Sequence, residues 1–207
     1  MTRLGVMGGT FDPIHYGHLM AAEEARVRFD LEQVLFVPNG QPPHKKDYPV
    51  TPAEHRYAMT LLATCSNLQF QASRMELERA GPSYTVDTMA ALREQWGPGA
   101  ALYFITGADA VQEILTWRDP KRLLSLCELI AAARPGYQLE AAVASLDPEM
   151  RRRVHGLDIP GVDISSTEMR ARAASGLPLT YLAPPQVVAY IAKHALYSHR
   201  GDSPHVG

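Results

Sequence analysis

Short uninterrupted apolar runs alternate along this chain with longer amphipathic stretches. Residues 4–7, 34–37, 101–105 and 129–133 are apolar runs of strand length, and shorter ones occur at 68–70 and 162–164. Between them, helical periodicity marks 19–28, 52–64, 84–95, 108–115 and 184–194. Strands without polar alternation are buried on both faces, so this order predicts an α/β protein whose mostly parallel sheet carries helices on both sides. Start signals support two of the helices. Thr51 precedes Pro52 and stands three residues before Glu54, a capping-box pattern with proline at the first helical position, and Ser83 precedes the helix holding Val86, Met89 and Leu92. The connector 39–49 is too rich in proline for regular structure, and long connectors inside compact domains are usually functional. The stretch 198–207 has no apolar period and is read as a disordered tail.

A chain of 207 residues suits one well-buried domain, taken as 1–197 with a small helical C-terminal part over about 166–197. A hydrophobic share of 46% and a charged share of 20% are those of a soluble globular protein. The formal net charge of −2 argues against non-specific nucleic-acid binding, while a local basic patch for a small phosphorylated ligand stays compatible. Cys65 and Cys127 have neither metal-site spacing nor the density of a disulfide scaffold. With no leader-like start and no apolar run long enough to span a bilayer, the expectation is a cytoplasmic protein without a membrane partner. The sequence is compatible with a homo-oligomer.

Chemistry concentrates where the first run meets the first helix: Gly8, Gly9, Thr10, Phe11, Asp12, Pro13, Ile14, His15, Tyr16, Gly17, His18. Glycines let main chain approach a phosphate, and a helix N-terminus offers free N–H groups to an anion. His15 and His18, three apart at a helix start, project to one side. A core histidine plus a capping one is the plainer alternative. The connector carries His44, Lys45 and Lys46 and leaves the second run at the same sheet edge, either as a basic substrate lid or as a solvated loop. Arg56, in the next helix, is an anion ligand or an exposed helical arginine.

Further along, Ser83, Tyr84 and Thr85 open a helix, where capping alone accounts for Ser83. Thr106, Gly107, Ala108 and Asp109 end a strand in a tight turn; Asp109 binds a ribose hydroxyl or serves as an N-terminal helix charge. Trp117 is either core or a stacking face, and Arg118 attracts a carboxylate or stays solvated. In Ile164, Ser165, Ser166, Thr167 and Arg170, one serine caps a helix and the arginine shares its face with Ser166 and Thr167, so hydroxyls and guanidinium can converge on phosphate.

The string GGTFDPIHxGH resembles the HxGH signature of the nucleotidyltransferase superfamily in the longer form found in bacterial nicotinate-nucleotide adenylyltransferases. PNxxPPHK, SYTxDT, the Trp117 segment, Arg134-Pro135-Gly136 and ISSTxxR are similar to further segments of that family, in family order. The resemblance implies a Rossmann-like nucleotidyltransferase fold and transfer of AMP from ATP to nicotinate mononucleotide. It implies an ATP site from Gly8, Gly9, Thr10, Phe11, His15, His18, Gly107, Asp109, Arg134, Ile164, Ser165, Ser166, Thr167 and Arg170. The acceptor nucleotide would meet Thr10, His44, Lys45, Tyr84, Thr85, Trp117 and Arg118. His15, His18, Lys45 and Arg170 would be catalytic, with Mg2+ carried in on ATP rather than held by protein ligands. Two rivals are a pantetheine-phosphate adenylyltransferase, which typically has threonine where this chain has His15, and a non-catalytic adenylate sensor. A nicotinamide dehydrogenase is disfavoured because no GxGxxG follows the first run.

Overall fold

The computed structural model describes residues 2–42, 49–133, 143–161 and 163–198. Six parallel strands form one sheet: β1 (Arg3–Gly9), β2 (Gln33–Pro38), β3 (Phe70–Ala72), β4 (Ala101–Gly107), β5 (Glu128–Ala133) and β6 (Val154–Asp158). They lie in the order β3-β2-β1-β4-β5-β6, so the winding reverses between β1 and β4. Such a switch point opens a crevice beyond the carboxyl ends of the strands.

Alternation of side chains across the sheet explains the unbroken apolar runs. Leu4 and Val6 of β1, Leu102 and Phe104 of β4, and Leu129 and Ala131 of β5 enter one core layer. That layer is closed by α3 (Thr85–Trp96) and α5 (Pro120–Leu126). Met7, Ile105 and Ile130 face the opposite layer. There they meet α1 (Tyr16–Arg28), α2 (Ala53–Thr64) and a C-terminal helix over Pro185–Lys193. Ala21, Ala22 and Ala25 are the buried residues of α1, and their small side chains let that helix lie close over the sheet.

The remaining elements are α4 (Ala108–Gln112), a 3-10 turn (Ile114–Thr116), α6 (Pro148–Arg152), α7 (Ser166–Ala174) and α8 (Pro185–Lys193). Several expectations from the sequence are corrected. The sixth strand lies at Val154–Asp158; of the run expected at 162–164, residue 162 lies outside the described residues, and Asp163 and Ile164 lead into a helix. β6 is an edge strand burying only Val154 and Leu157, while His155 and Arg153 both reach Glu128, so no apolar run announces it. The strand expected at 68–70 begins at Phe70, with Leu68 outside it and 93% exposed. The helix expected over 108–115 divides into α4 and the 3-10 turn. α5 follows Asp119, which accepts from the Arg122 N–H at 3.2 Å, with proline at the first helical position.

The capping box at Thr51 does not form. α2 starts after Pro52, the Glu54 carboxylate pairs with Arg74 at 2.8 Å, and the Thr51 N–H donates to Asp12 Oδ2 at 3.1 Å. No helix among the described residues is long and apolar enough to cross a membrane.

Candidate active site

Three adjoining cavities line the carboxyl edge of the sheet around the switch point. The first lies among Gly8, Gly9, Thr10, Asn39, Glu76, Ser83, Tyr84, Thr85, Thr88, Phe104, Thr106, Trp117 and Arg118. The second is formed by His15, Gly17, His18, Thr106, Gly107, Asp109, Ala132, Ile159 and Ile164, among others. Thr10, Phe11, Asp12, His18, Ser166, Thr167 and Arg170 enclose the third. Thr10 belongs to the first and third, His18 to the second and third, and Thr106 to the first and second.

β1 delivers the turn at the centre. His15 is the residue preceding α1, in extended conformation, and it is buried, whereas His18 in the first turn is half-buried. Their rings stack with centroids 3.8 Å apart, and Phe11 meets His18 edge-on at 5.1 Å. The His15 main-chain N–H donates to His18 Nδ1 at 3.2 Å. A ring accepting at Nδ1 carries its proton on Nε2 when neutral, leaving His18 an outward N–H donor. Burial pushes the His15 imidazole down to about 4, and burial followed by the charge of His15 pushes His18 well below the ordinary range. Both shifts favour the neutral imidazole at pH 7.

The third cavity is completed by α7. Ser165 caps that helix by accepting from the Glu168 N–H at 3.1 Å, which settles which serine is the cap. Ser166 Oγ donates to the Pro13 carbonyl at 2.8 Å, and Arg170 Nη1 donates to the Asp12 carbonyl at 2.8 Å, so α7 is fastened to the histidine turn. Arg170 Nη2 also reaches Thr167 Oγ1 at 3.3 Å. Hydroxyls, a guanidinium and an imidazole thus surround one polar space suited to several phosphate oxygens.

The first cavity has an aromatic and a polar wall. Trp117 meets Phe104 edge-on at 6.0 Å, and the Arg118 guanidinium lies 4.6 Å over the Tyr84 ring while pairing with Asp87 at 3.3 Å. Thr85 is the first residue of α3. Ser83 is not the cap that the sequence suggests. Its Oγ accepts from the Gly40 and Gln41 N–H groups at 3.0 and 3.3 Å, tying the loop after β2 to the start of α3. Gly40 is required there, since a Cβ would come within 2.2 Å of the Glu76 carbonyl oxygen.

Arg56 is not the exposed helical arginine of the plainer reading. Only 1% exposed, it donates to the carbonyls of Thr51 (2.8 Å), Thr10 (2.8 Å) and Gly40 (3.2 Å), binding three loops together beneath the site.

Glu76, Phe104 and Ile159 line the cavities without a signal in the sequence, whereas Asn39, Thr88 and Thr106 fall within segments already marked there. Glu76 is the most consequential. It is 5% exposed, accepts from Thr88 through Oε1, and leaves Oε2 without a hydrogen-bond partner. Burial raises its carboxyl above the usual range, partly offset by the hydroxyls of Thr88 and Ser83. The remaining residues named from the sequence, His44, Lys45 and Arg134, lie outside the described residues. Among the described residues, no three His, Cys, Asp or Glu side chains converge as a metal site would require.

A sheet wound in this order, with a histidine turn after β1 and a serine-arginine helix start facing it, is a Rossmann-like nucleotidyltransferase fold. The cytidylyltransferase-like family model matches residues 6–172. A Moorella thermoacetica protein named "Probable nicotinate-nucleotide adenylyltransferase" is 56% identical over 203 residues, covering 97% of this chain and 94% of the relative. One of the same name from Corynebacterium kroppenstedtii is 53% identical over 200 residues, covering 97% and 93%. The chain belongs to the nicotinate-nucleotide adenylyltransferase family. In fold it is similar to the Plasmodium falciparum nicotinic acid mononucleotide adenylyltransferase solved with NaAD, at a TM-score of 0.75, 21% identity, and coverage of 95% of this chain and 98% of that one.

Proposed function

We propose that this protein transfers the adenylyl group of ATP to nicotinate mononucleotide, releasing pyrophosphate and forming nicotinate adenine dinucleotide. The observation carrying this reading is the meeting of three cavities at Thr10, His18 and Thr106, which gives two nucleotides and a chain of phosphates one shared junction. The acceptor's 5′-phosphate is ionised at neutral pH, so one of its oxygens attacks the α-phosphorus of ATP without a general base. The bond to the β-phosphate bridging oxygen breaks, and pyrophosphate leaves with that electron pair. What the protein supplies is alignment and neutralisation of growing charge.

In this reading the second cavity takes the adenosine, with Gly107 and Asp109 beside the ribose. Arg134 would join it by family resemblance. The third cavity takes the triphosphate: His18 Nε2–H donates to the α-phosphate as charge builds, His15 stands behind it, and Ser166, Thr167 and Arg170 meet the β- and γ-phosphates. The first cavity takes the acceptor, with its pyridine ring on Trp117 and its substituent toward the start of α3. Lys45 and His44 would reach the acceptor phosphate from the connector. ATP enters as its magnesium complex.

Pyrophosphate release, measured with ATP against a panel of acceptor phosphates, tests the proposal. Fastest turnover is expected with nicotinate mononucleotide. Faster turnover with phosphopantetheine would transfer the assignment to the pantetheine rival, and ATP binding without pyrophosphate from any acceptor would leave an adenylate sensor.

A further inference from the structure

The segment after α8 touches the phosphate-binding turn through Tyr197. After α8 the chain reverses through Ala195 and Tyr197, both non-glycine residues at positive φ (47° and 67°). Left-handed backbone is unfavourable for such residues, and it persists where surrounding contacts fix it. The contact here is a hydrogen bond from the Tyr197 hydroxyl to Asp12 Oδ1 at 2.7 Å, joining residues 185 positions apart. Asp12 is 1% exposed, and its other carboxylate oxygen accepts from the Thr51 N–H. Its main-chain carbonyl is the acceptor that holds Arg170 Nη1.

We infer that Tyr197 is a positioning residue for adenylyl transfer, acting through Asp12 to fix the turn that carries Thr10 and Phe11 and receives Arg170. The inference rests on the proposed reaction. Asp12 is a hub whose side chain is clamped from two sides, by Thr51 and by Tyr197, while its main chain presents the oxygen on which the Arg170 guanidinium rests. Removing the phenol hydroxyl leaves a buried carboxylate oxygen without its partner, and the turn must shift to regain one. That displacement reaches the triphosphate cavity directly, since Asp12 and Arg170 both line it. The acceptor cavity, which neither residue lines, meets this turn through Thr10 alone and is displaced less. Burial and the Asp12 charge push the Tyr197 phenol above its ordinary range, so it remains a donor throughout the working pH. The segment thus acts as a permanent strap rather than as a titrating switch.

Tyr197→Phe keeps the packed ring and deletes only the donor. In the full-length protein, below the variant's unfolding midpoint, kcat is expected to fall about tenfold and KM for ATP to rise several-fold, the size expected for one buried hydrogen bond to a charged group. KM for nicotinate mononucleotide should stay within twofold. Asp12→Ala removes the acceptor of the same bond and should give the same ATP-selective pattern, and adding Tyr197→Phe to it should produce little further loss. A lowered midpoint with kcat and both KM values within twofold of the parent would reduce the bond to a structural one. Equal losses toward both substrates, or fully additive losses in the double variant, would also overturn the inference. Absence of turnover in the parent protein would instead refute the adenylyl-transfer reading.

Discussion

The imidazoles of His15 and His18 stack 28° from parallel with their centroids 3.8 Å apart, and the main chain of the first donates to the ring of the second. Two neutral rings tolerate this arrangement, whereas two cations at that separation in a desolvated site repel strongly. In the proposed reaction the pair would meet ATP as neutral rings already oriented by the turn, which is the preorganisation that phosphoryl-group chemistry needs.

Stability should consequently depend on pH through His15. Its folded value near 4 lies below the ordinary 6.5, so the contribution is fully present above about pH 6.5 and is lost as pH falls toward 4. Between pH 7 and pH 4.5 this one group should cost about 2.5 kcal/mol of unfolding free energy. Urea unfolding at the two pH values measures it. His15→Asn should lose less between them, and an equal loss in parent and variant would show that other groups govern the acid limb.

His18→Ala should lower kcat far more than it raises KM for ATP, because charge on the α-phosphate grows only as the new bond forms. Loss of such a donor corresponds to about 3 kcal/mol, on the order of a hundredfold. Steady-state kinetics with both substrates varied will show it, and near-normal turnover would remove His18 from this role.

Arg56→Lys should destabilise the protein and slow it together. A lysine keeps the charge, yet its single ammonium cannot span the carbonyls of Thr10, Gly40 and Thr51 as the planar guanidinium does. Leaving buried carbonyls unpaired costs about 1–3 kcal/mol each, so a loss of about 2–3 kcal/mol in urea unfolding is expected. A stability within 0.5 kcal/mol of the parent, about the scatter of a neutral surface change, would contradict it.

The sequence makes β1, β2, β4 and β5 legible because strands buried on both faces read as unbroken apolar runs. β6 hides because an edge strand with His155 and Asp158 in it buries only every third residue. The histidine turn is legible as a local string, and so is the start of α7. Glu76 was not, since it stands in irregular chain seven residues before Ser83 and joins the site only through tertiary closure around Gly40. Arg56 carried a signal that was available: helical period places it on the face of Met59, Thr60 and Ala63, all buried. The polarity of the side chain obscured that position, which makes sense only once three loops converge on it.

In the proposed reaction, acceptor choice would follow from the first cavity, where the start of α3 offers main-chain N–H donors. A ring stacked on Trp117 would turn its 3-substituent toward the N–H groups at the start of α3, favouring a carboxylate over an amide whose NH₂ would face other donors. The structure adds a carboxyl to that wall: Glu76 lines the same cavity, with Oε2 unpartnered. Burial raises its titration above the ordinary carboxylate value, against the hydrogen bonds and the Arg79 charge that lower it, so its neutral form persists to higher pH than that of an exposed glutamate. A neutral Glu76 is compatible with a ligand carboxylate nearby and can donate to it, whereas an ionised one repels it through a desolvated space. Nicotinate mononucleotide should therefore be preferred over nicotinamide mononucleotide at least several-fold in kcat/KM, with the ratio greatest at acidic pH and declining as Glu76 ionises. Trp117→Ala should weaken both acceptors without a comparable effect on ATP. Glu76→Gln, which keeps the shape and removes the charge, should flatten the pH dependence of the ratio while preserving nicotinate preference. A ratio that varies with pH identically in the parent and in Glu76→Gln would exclude Glu76 from acceptor choice, and equal kcat/KM for the two acceptors would refute the donor wall at α3.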